Sequence, residues 1–301
     1  MGMKKLHFIF LITVLLLSTA CAPPRPPTAI PIPSGVSVLT APPINTADPH
    51  PISRWINPEG NSIRSRFTLP EGFARVQTES EFAAYLRALP LEPDGTVMHY
   101  FNGSYKTTLD YDAIIVTPNR PKKLLNSAQA IYRLRLSYLY EKGLYDRITV
   151  NFYDGFTFSY NRWRAGEVLG ISGVSVYWKG GGAADNSLEN FEKYLDEVNN
   201  YCNLTTLSRM LSRTTPGELK IGDVLLRGEP PHALIVLDMA KNAASGEIIY
   251  LFGQGGTPAQ PIYVVRNPEH GERSPWYSSQ DQSSWTVTGG SFGSKDYYKF
   301  S

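Results

Sequence analysis

Residues 222–265 read GDVLLRGEPPHALIVLDMAKNAASGEIIYLFGQGGTPAQPIYVV, and this stretch decides the fold. Four runs within it, 222–226, 232–238, 247–252 and 261–265, are rich in Val, Ile, Leu and aromatic residues. The segments between them are short and carry Gly, Pro, Asn and Ser. Such runs suit strands, and such connectors suit antiparallel neighbours. The pattern predicts an antiparallel meander or small barrel, followed by a last strand pair within 285–300.

Upstream the period changes. Thr78-Glu79-Ser80-Glu81 reads as a capping box, with Thr78 as the N-cap and Glu81 reaching back. It opens a helix through Phe82, Tyr85, Leu86 and Leu89, which Pro90 stops. Residues 124–140 carry Leu124, Ala128, Ile131, Leu134 and Tyr138 at helical spacing, with Gly143 as a stop. Ser187 caps a further helix whose stripe is Leu188, Phe191, Leu195 and Val198, and Thr205 or Thr206 caps a shorter one. Residues 96–100 and 109–117, joined across Asn102-Gly103, read as strands, as does 148–160. The Gly-rich 180–184 is a flexible loop that suits a lid or, more plainly, a connection. Helices early and a meander late define an α+β fold of helices packed on a C-terminal sheet. One domain is expected over 52–301, with an N-terminal lobe over 52–180 and a C-terminal lobe over 185–301.

The N-terminus carries an address. Lys4 and Lys5 precede an apolar run at 6–17. A mature membrane span needs about 20 apolar residues, so the run fits the core of a secretory signal instead. Ser18-Thr19-Ala20 and Cys21 follow in the order of a bacterial lipobox, although Leu17 lies one place further out than the usual leucine. Residues 1–20 are therefore expected to be removed and Cys21 lipidated, which anchors the protein to a membrane. Ordinary cleavage near Ala20 or Ala22 is the alternative. Residues 21–51 are rich in proline and lack an apolar period, as a tether does. Ala22 in place of Asp leans towards the outer membrane, facing the periplasm, in a Gram-negative organism.

Removing the signal takes away Lys4 and Lys5 and no acid, so 29 basic residues become 27, against 27 acidic ones. No basic stripe stands out, which argues against a nucleic-acid partner. There are two cysteines. With Cys21 lipidated, Cys202 has no partner within the chain for a disulfide. The histidine spacing fits no zinc site, no glycine loop suits a nucleotide, and no cofactor is expected.

Several short stretches are familiar together. They are Leu89-Pro90-Leu91 with Pro93 and Gly95; Tyr100, Gly103 and Lys106; Arg133-Leu134-Arg135; Tyr138-Leu139-Tyr140; and Trp163 with Gly166. Gly222-Asp223-Val224, His232-Ala233, Gln254, Pro258-Ala259-Gln260, Asn267-Pro268 and Pro275-Trp276-Tyr277 complete the set. In these the chain resembles the bacterial family called domain of unknown function 4846. That resemblance implies an exported protein and no established activity. Ser127 stands where members often carry cysteine, which excludes a thiol function there, and Ser137 stands where glutamate is usual.

A second resemblance bears on chemistry. Gly222-Asp223-Val224 followed by His232 at the head of an apolar run is similar to the core of NlpC-type and CHAP-type papain-like peptidases. In those folds a cysteine starts a helix, a histidine begins a barrel strand, and a polar residue on the next strand orients it. Cys202, His232 and Gln254 follow that order, which implies a papain-like C-terminal half and a cysteine peptidase or amidase acting on cell-wall peptide. The Cys202–His232 gap is shorter than usual, and YCNLTT lacks the Asp-Cys-Ser or Asp-Cys-Gly form.

Each candidate has a plainer reading. A catalytic thiol needs a lowered pKa, from a helix N-terminus or an imidazolium. Cys202 equally continues the stripe of Leu195 and Val198 as a buried, inert thiol. His232 follows Pro230-Pro231 and suits a strand end. Asp223 and Gln260 are binding candidates, although Gln254 and Gln260 also flank a turn. Arg133 and Arg135 lie two apart on a helix, so at most one faces a site. Trp163 and Trp276 suit sugar stacking or the core. Asp110 and Asp112 share a strand face and read as a solvated edge. A non-catalytic binding or scaffold lipoprotein is the competing function.

Overall fold

The computed structural model describes residues 54–117, 125–281 and 284–300. Cys21, the signal and the tether lie outside them. Six helices occur among the described residues: α1 (Ile63–Arg66), α2 (Glu81–Ala88), α3 (Ser127–Glu141), α4 (Tyr160–Arg164), α5 (Leu188–Tyr201) and α6 (Leu204–Ser208). The strands are β1 (Phe73–Arg75), β2 (Tyr111–Ile114), β3 (Thr149–Asn151), β4 (Thr157–Ser159), β5 (Val168–Ser172), β6 (Ser175–Lys179), β7 (Leu211–Arg213) and β8 (Val224–Arg227). They continue with β9 (His232–Asn242), β10 (Ile248–Gln254), β11 (Tyr263–Val265), β12 (Tyr277–Ser278), β13 (Trp285–Val287), β14 (Gly290–Phe292) and β15 (Tyr297–Phe300).

The expected meander is present and antiparallel. β8, β9, β10 and β11 are sequential neighbours inside a sheet ordered β2-β11-β10-β9-β8-β15-β7, with β1 added to β9 and β12 to β10. The sheet does not close: β2 and β7 end the order without pairing, so the small barrel gives way to an open sheet. β1 and β2 come from the N-terminal part of the chain and pair with β9 and β11, so the sheet draws on both expected lobes.

β9 is the centre. Its residues from His232 to Ala240 are all buried, because α1, α2 and α3 pack against it while the β13–β14 hairpin and its Trp285 cover β8 and β10. A strand covered in this way reads as a continuous apolar run rather than an alternating one. Asp238 interrupts the run and is fully buried. Arg75 Nε lies 2.7 Å and Arg87 Nε 2.5 Å from its two oxygens, and Arg87 also donates to the carbonyls of Val76 and Met239. This cluster fastens β1 and α2 to the central strand.

Local boundaries moved for identifiable reasons. α2 is capped by Ser80, which accepts from Ala83 N, and not by Thr78, because Ser80 is the hydroxyl directly before the buried stripe. α6 is capped by Asn203, whose amide oxygen takes the N–H groups of Thr205 and Thr206, and not by either threonine. Residues 96–100 form no strand, only a His99–Tyr105 bridge, and 109–117 contributes the four-residue strand β2. Residues 148–160 fold back as the β3–β4 hairpin. The β5–β6 hairpin, with Ile171, Val174 and Tyr177 exposed, was not expected.

Candidate functional site

The start of α3 is pressed against the end of β10. Asn126 caps the helix in a reciprocal box with Gln129, so Ser127 is its first residue. Leu125 bridges to Gln260, and Gly256 N donates to Leu125 O at 3.2 Å. This closeness explains the Gly-Gly after Gln254. A Cβ on Gly255 would lie 2.6 Å from the carbonyl oxygens of Leu125 and Asn126, and one on Gly256 would strike the Gln260 amide. The buried Ser127 thus begins a fifteen-residue helix laid on β9 and β10.

His232 begins β9 and Gln254 ends β10, and the structure brings them together. His232 Nε2 lies 2.7 Å from Gln254 Oε1. The Gln254 amide nitrogen donates to the Tyr263 hydroxyl and, at 3.4 Å, to Thr288 O. Because that nitrogen faces a carbonyl, the amide oxygen faces the ring, and Nε2 carries the proton. Nδ1 is then the basic nitrogen. Burial depresses the imidazole pKa, although the Gln254 bond pulls it back up, so the ring is neutral at neutral pH. A neutral imidazole fixed by an amide on one side is fit to accept a proton or a ligand N–H on the other.

A second polar group adjoins it. Lys106 Nζ donates to Gln260 Oε1 at 2.7 Å, lies 2.8 Å from Asp110 Oδ1, and sits 4.8 Å from the centre of the Tyr263 ring. Lys106, Asp110 and Gln260 are all buried. Neither Asp110 oxygen accepts a well-aligned hydrogen bond. Asp110 and Asp112 are therefore not a solvated edge. Asp112 is buried against Arg266 Nε at 2.8 Å and the Ser274 hydroxyl at 2.5 Å.

Cys202 takes other partners than the His232–Gln254 pair. It ends α5, is buried, and its thiol lies with the hydroxyls of Thr206 and Tyr132. Burial pushes the thiol up to about 11, against the opposing pull of those two hydroxyls. No hydrogen bond joins it to His232, whose described partner is Gln254. Although α6 follows Cys202, its first backbone N–H groups are taken by Asn203.

The other candidates divide. Arg133 pairs with Glu192 of α5 at 2.6 Å, while Arg135 faces a cavity that Asp223 also lines. Trp276 is buried, with Nε1 donating to Thr68 O at 2.9 Å, so it is a core residue with no face for a sugar. Trp163 is half-buried, donates to Asn190 O at 3.1 Å and packs on Phe158. No group of three His, Cys, Asp or Glu suited to a metal occurs among the described residues. Sequence reasoning missed Lys106 and Tyr263 as site members. The only signal for Lys106 was its place in the family pattern.

A family model described as Domain of unknown function (4846) matches residues 63–298. The chain belongs to that family. The match spans α1 to β15 and so includes the His232–Gln254 pair, the start of α3 and the Lys106 cluster. No curated protein and no solved structure matches the chain.

Proposed function

We propose that this is an exported lipoprotein, anchored through Cys21, which binds cell-wall peptide without cleaving it, on a domain descended from a papain-like hydrolase. The observation that carries the reading is the state of Cys202. A thiol nucleophile requires a lowered pKa and a neighbouring base, and this thiol is buried, raised to about 11 and bonded elsewhere. Descent from a hydrolase is supported by the layout around His232. A long helix starts beside the strand pair that holds a histidine and its orienting amide, and the first helical residue is Ser127. A serine hydroxyl is a far weaker nucleophile than a thiolate at neutral pH. The amides, the imidazole and Lys106 remain as hydrogen-bonding groups for a peptide backbone.

The test is titration of peptidoglycan stem peptides into the full-length protein in detergent, with mass spectrometry of the peptides afterwards. The expected result is saturable binding, weakened in His232→Ala, with the peptides returned intact. Turnover that disappears in His232→Ala would refute the binding reading, and loss in Ser127→Ala as well would assign the chemistry to Ser127. Labelled palmitate should enter the wild type and not Cys21→Ala.

A further inference from the structure

A cavity of about 660 Å³ opens at the far end of β8 from His232. The register sets the separation: Arg227 pairs with His232 at one end of β8, while the backbone carbonyl of Asp223, just before the other end, accepts from Val236 N at 2.9 Å. The volume is in the range of small-ligand sites.

Its charges are unbalanced in a specific way. The Arg135 guanidinium lies over three rings, 4.7 Å from Phe82, 4.9 Å from Phe300 and 5.6 Å from Tyr138. It forms no ion pair or hydrogen bond with a described residue. Burial and the nearby Arg147 both work against its charge. Arg147 and Lys299 also line the cavity and pair with no described carboxylate. Ring stacking holds a guanidinium by its faces and leaves the edge N–H donors unused. A pair of forked donors without a counter-ion matches a carboxylate.

The opposite charge is also present. Asp223 is buried on the same cavity, accepts from Lys220 N at 2.8 Å, and has no cation within ion-pairing distance among the described residues. Lys220 is the nearest basic residue in sequence, and its ammonium is engaged by Glu79. Glu79 and Glu218 at the rim disfavour a multiply charged anion such as phosphate. The cavity therefore presents a cationic wall and an acidic wall with no direct ion pair between described residues across it, although the Lys299 and Lys220 charges act on Asp223 from further off.

We propose that this cavity binds a zwitterionic, peptide-like ligand, with its carboxylate on Arg135 and Arg147 and its ammonium on Asp223. The site is separate from the His232 region, and the proposal stands or falls independently of the function assigned there.

The test uses full-length protein in detergent, titrated with trialanine, N-acetyl-trialanine, trialanine amide and inorganic phosphate, and followed through the arginine side-chain N–H resonances. Trialanine is expected to bind saturably and shift Arg135. Either cap, and the variants Arg135→Gln or Asp223→Asn, should weaken it by about tenfold or more. Arg147→Gln changes an exposed side chain and serves as the variant that leaves folding intact. Absence of saturable trialanine binding would overturn the proposal. So would binding indifferent to the caps and to Arg147→Gln, or a preference for phosphate with the same arginine dependence.

Discussion

Asp223→Asn tests the electrostatics of the cavity most sharply. Burial raises the Asp223 carboxyl from 3.8 to about 6, with the Lys220 backbone N–H and the Lys299 and Lys220 charges pulling the other way. The folded state therefore holds this proton more tightly than the unfolded state does. The stability it contributes is complete below pH 3.8 and is lost as pH rises through about 6. At about 1.4 kcal/mol per pH unit, the rise corresponds to roughly 3 kcal/mol of destabilisation above pH 6. Asparagine keeps an acceptor for Lys220 N and removes the charge. Urea unfolding of wild type and variant should thus give nearly equal stabilities at pH 4. By pH 7.5 the variant should be about 2–4 kcal/mol more stable. A difference that stays below about 1 kcal/mol, or a wild type that gains on the variant as pH rises, would refute the reasoning. Either outcome would mean that Lys299 neutralises the carboxylate after all.

Other outcomes follow from single contacts. Asp238→Ala leaves Arg75 and Arg87 without their shared carboxylate, and urea titration should show a loss of about 3–5 kcal/mol. Gly255→Ala forces a Cβ against the carbonyls of Leu125 and Asn126. It should cost about 1–3 kcal/mol and shift the His232 ring resonances as α3 moves from β10. The His232 pKa is depressed by burial, so its contribution to stability is present above the unfolded value of about 6.5 and lost as pH falls towards the folded one. Proton NMR should show the His232 ring titrating below the ordinary histidine value, and His232→Gln should flatten this part of the acid limb.

The meander was legible because β9 and β10 are covered on both faces, and such strands write themselves as unbroken Val, Ile and Leu runs. The long helices were legible from their stripes. Caps were misplaced where two competent residues stood close together, as Thr78 and Ser80 did, since only packing selects between them. The open sheet depends on β1, β2, β7 and β15, which are three or four residues long and too short to carry a period. In the site, His232 and Gln254 were readable because each stands at the end of an apolar run. Lys106 and Asp110 were not, since nothing in a surface-type sequence announces that both will be buried. The spacing of Arg133 and Arg135 sends them in different directions, yet only the structure tells that Arg133, the binding candidate, meets Glu192 while Arg135 faces the cavity.

The central claim is that the Cys202 thiol is structural and the domain recognises its ligand without it. The direct measurement is alkylation of Cys202 from pH 6 to 10 in protein lacking residues 1–21, for wild type and His232→Ala. A structural thiol should label slowly throughout the neutral range, identically in both proteins and fast only in denaturant, as befits a buried thiol raised to about 11. Fast labelling below pH 7 in the wild type that collapses in His232→Ala would contradict it and establish an activated cysteine–histidine pair.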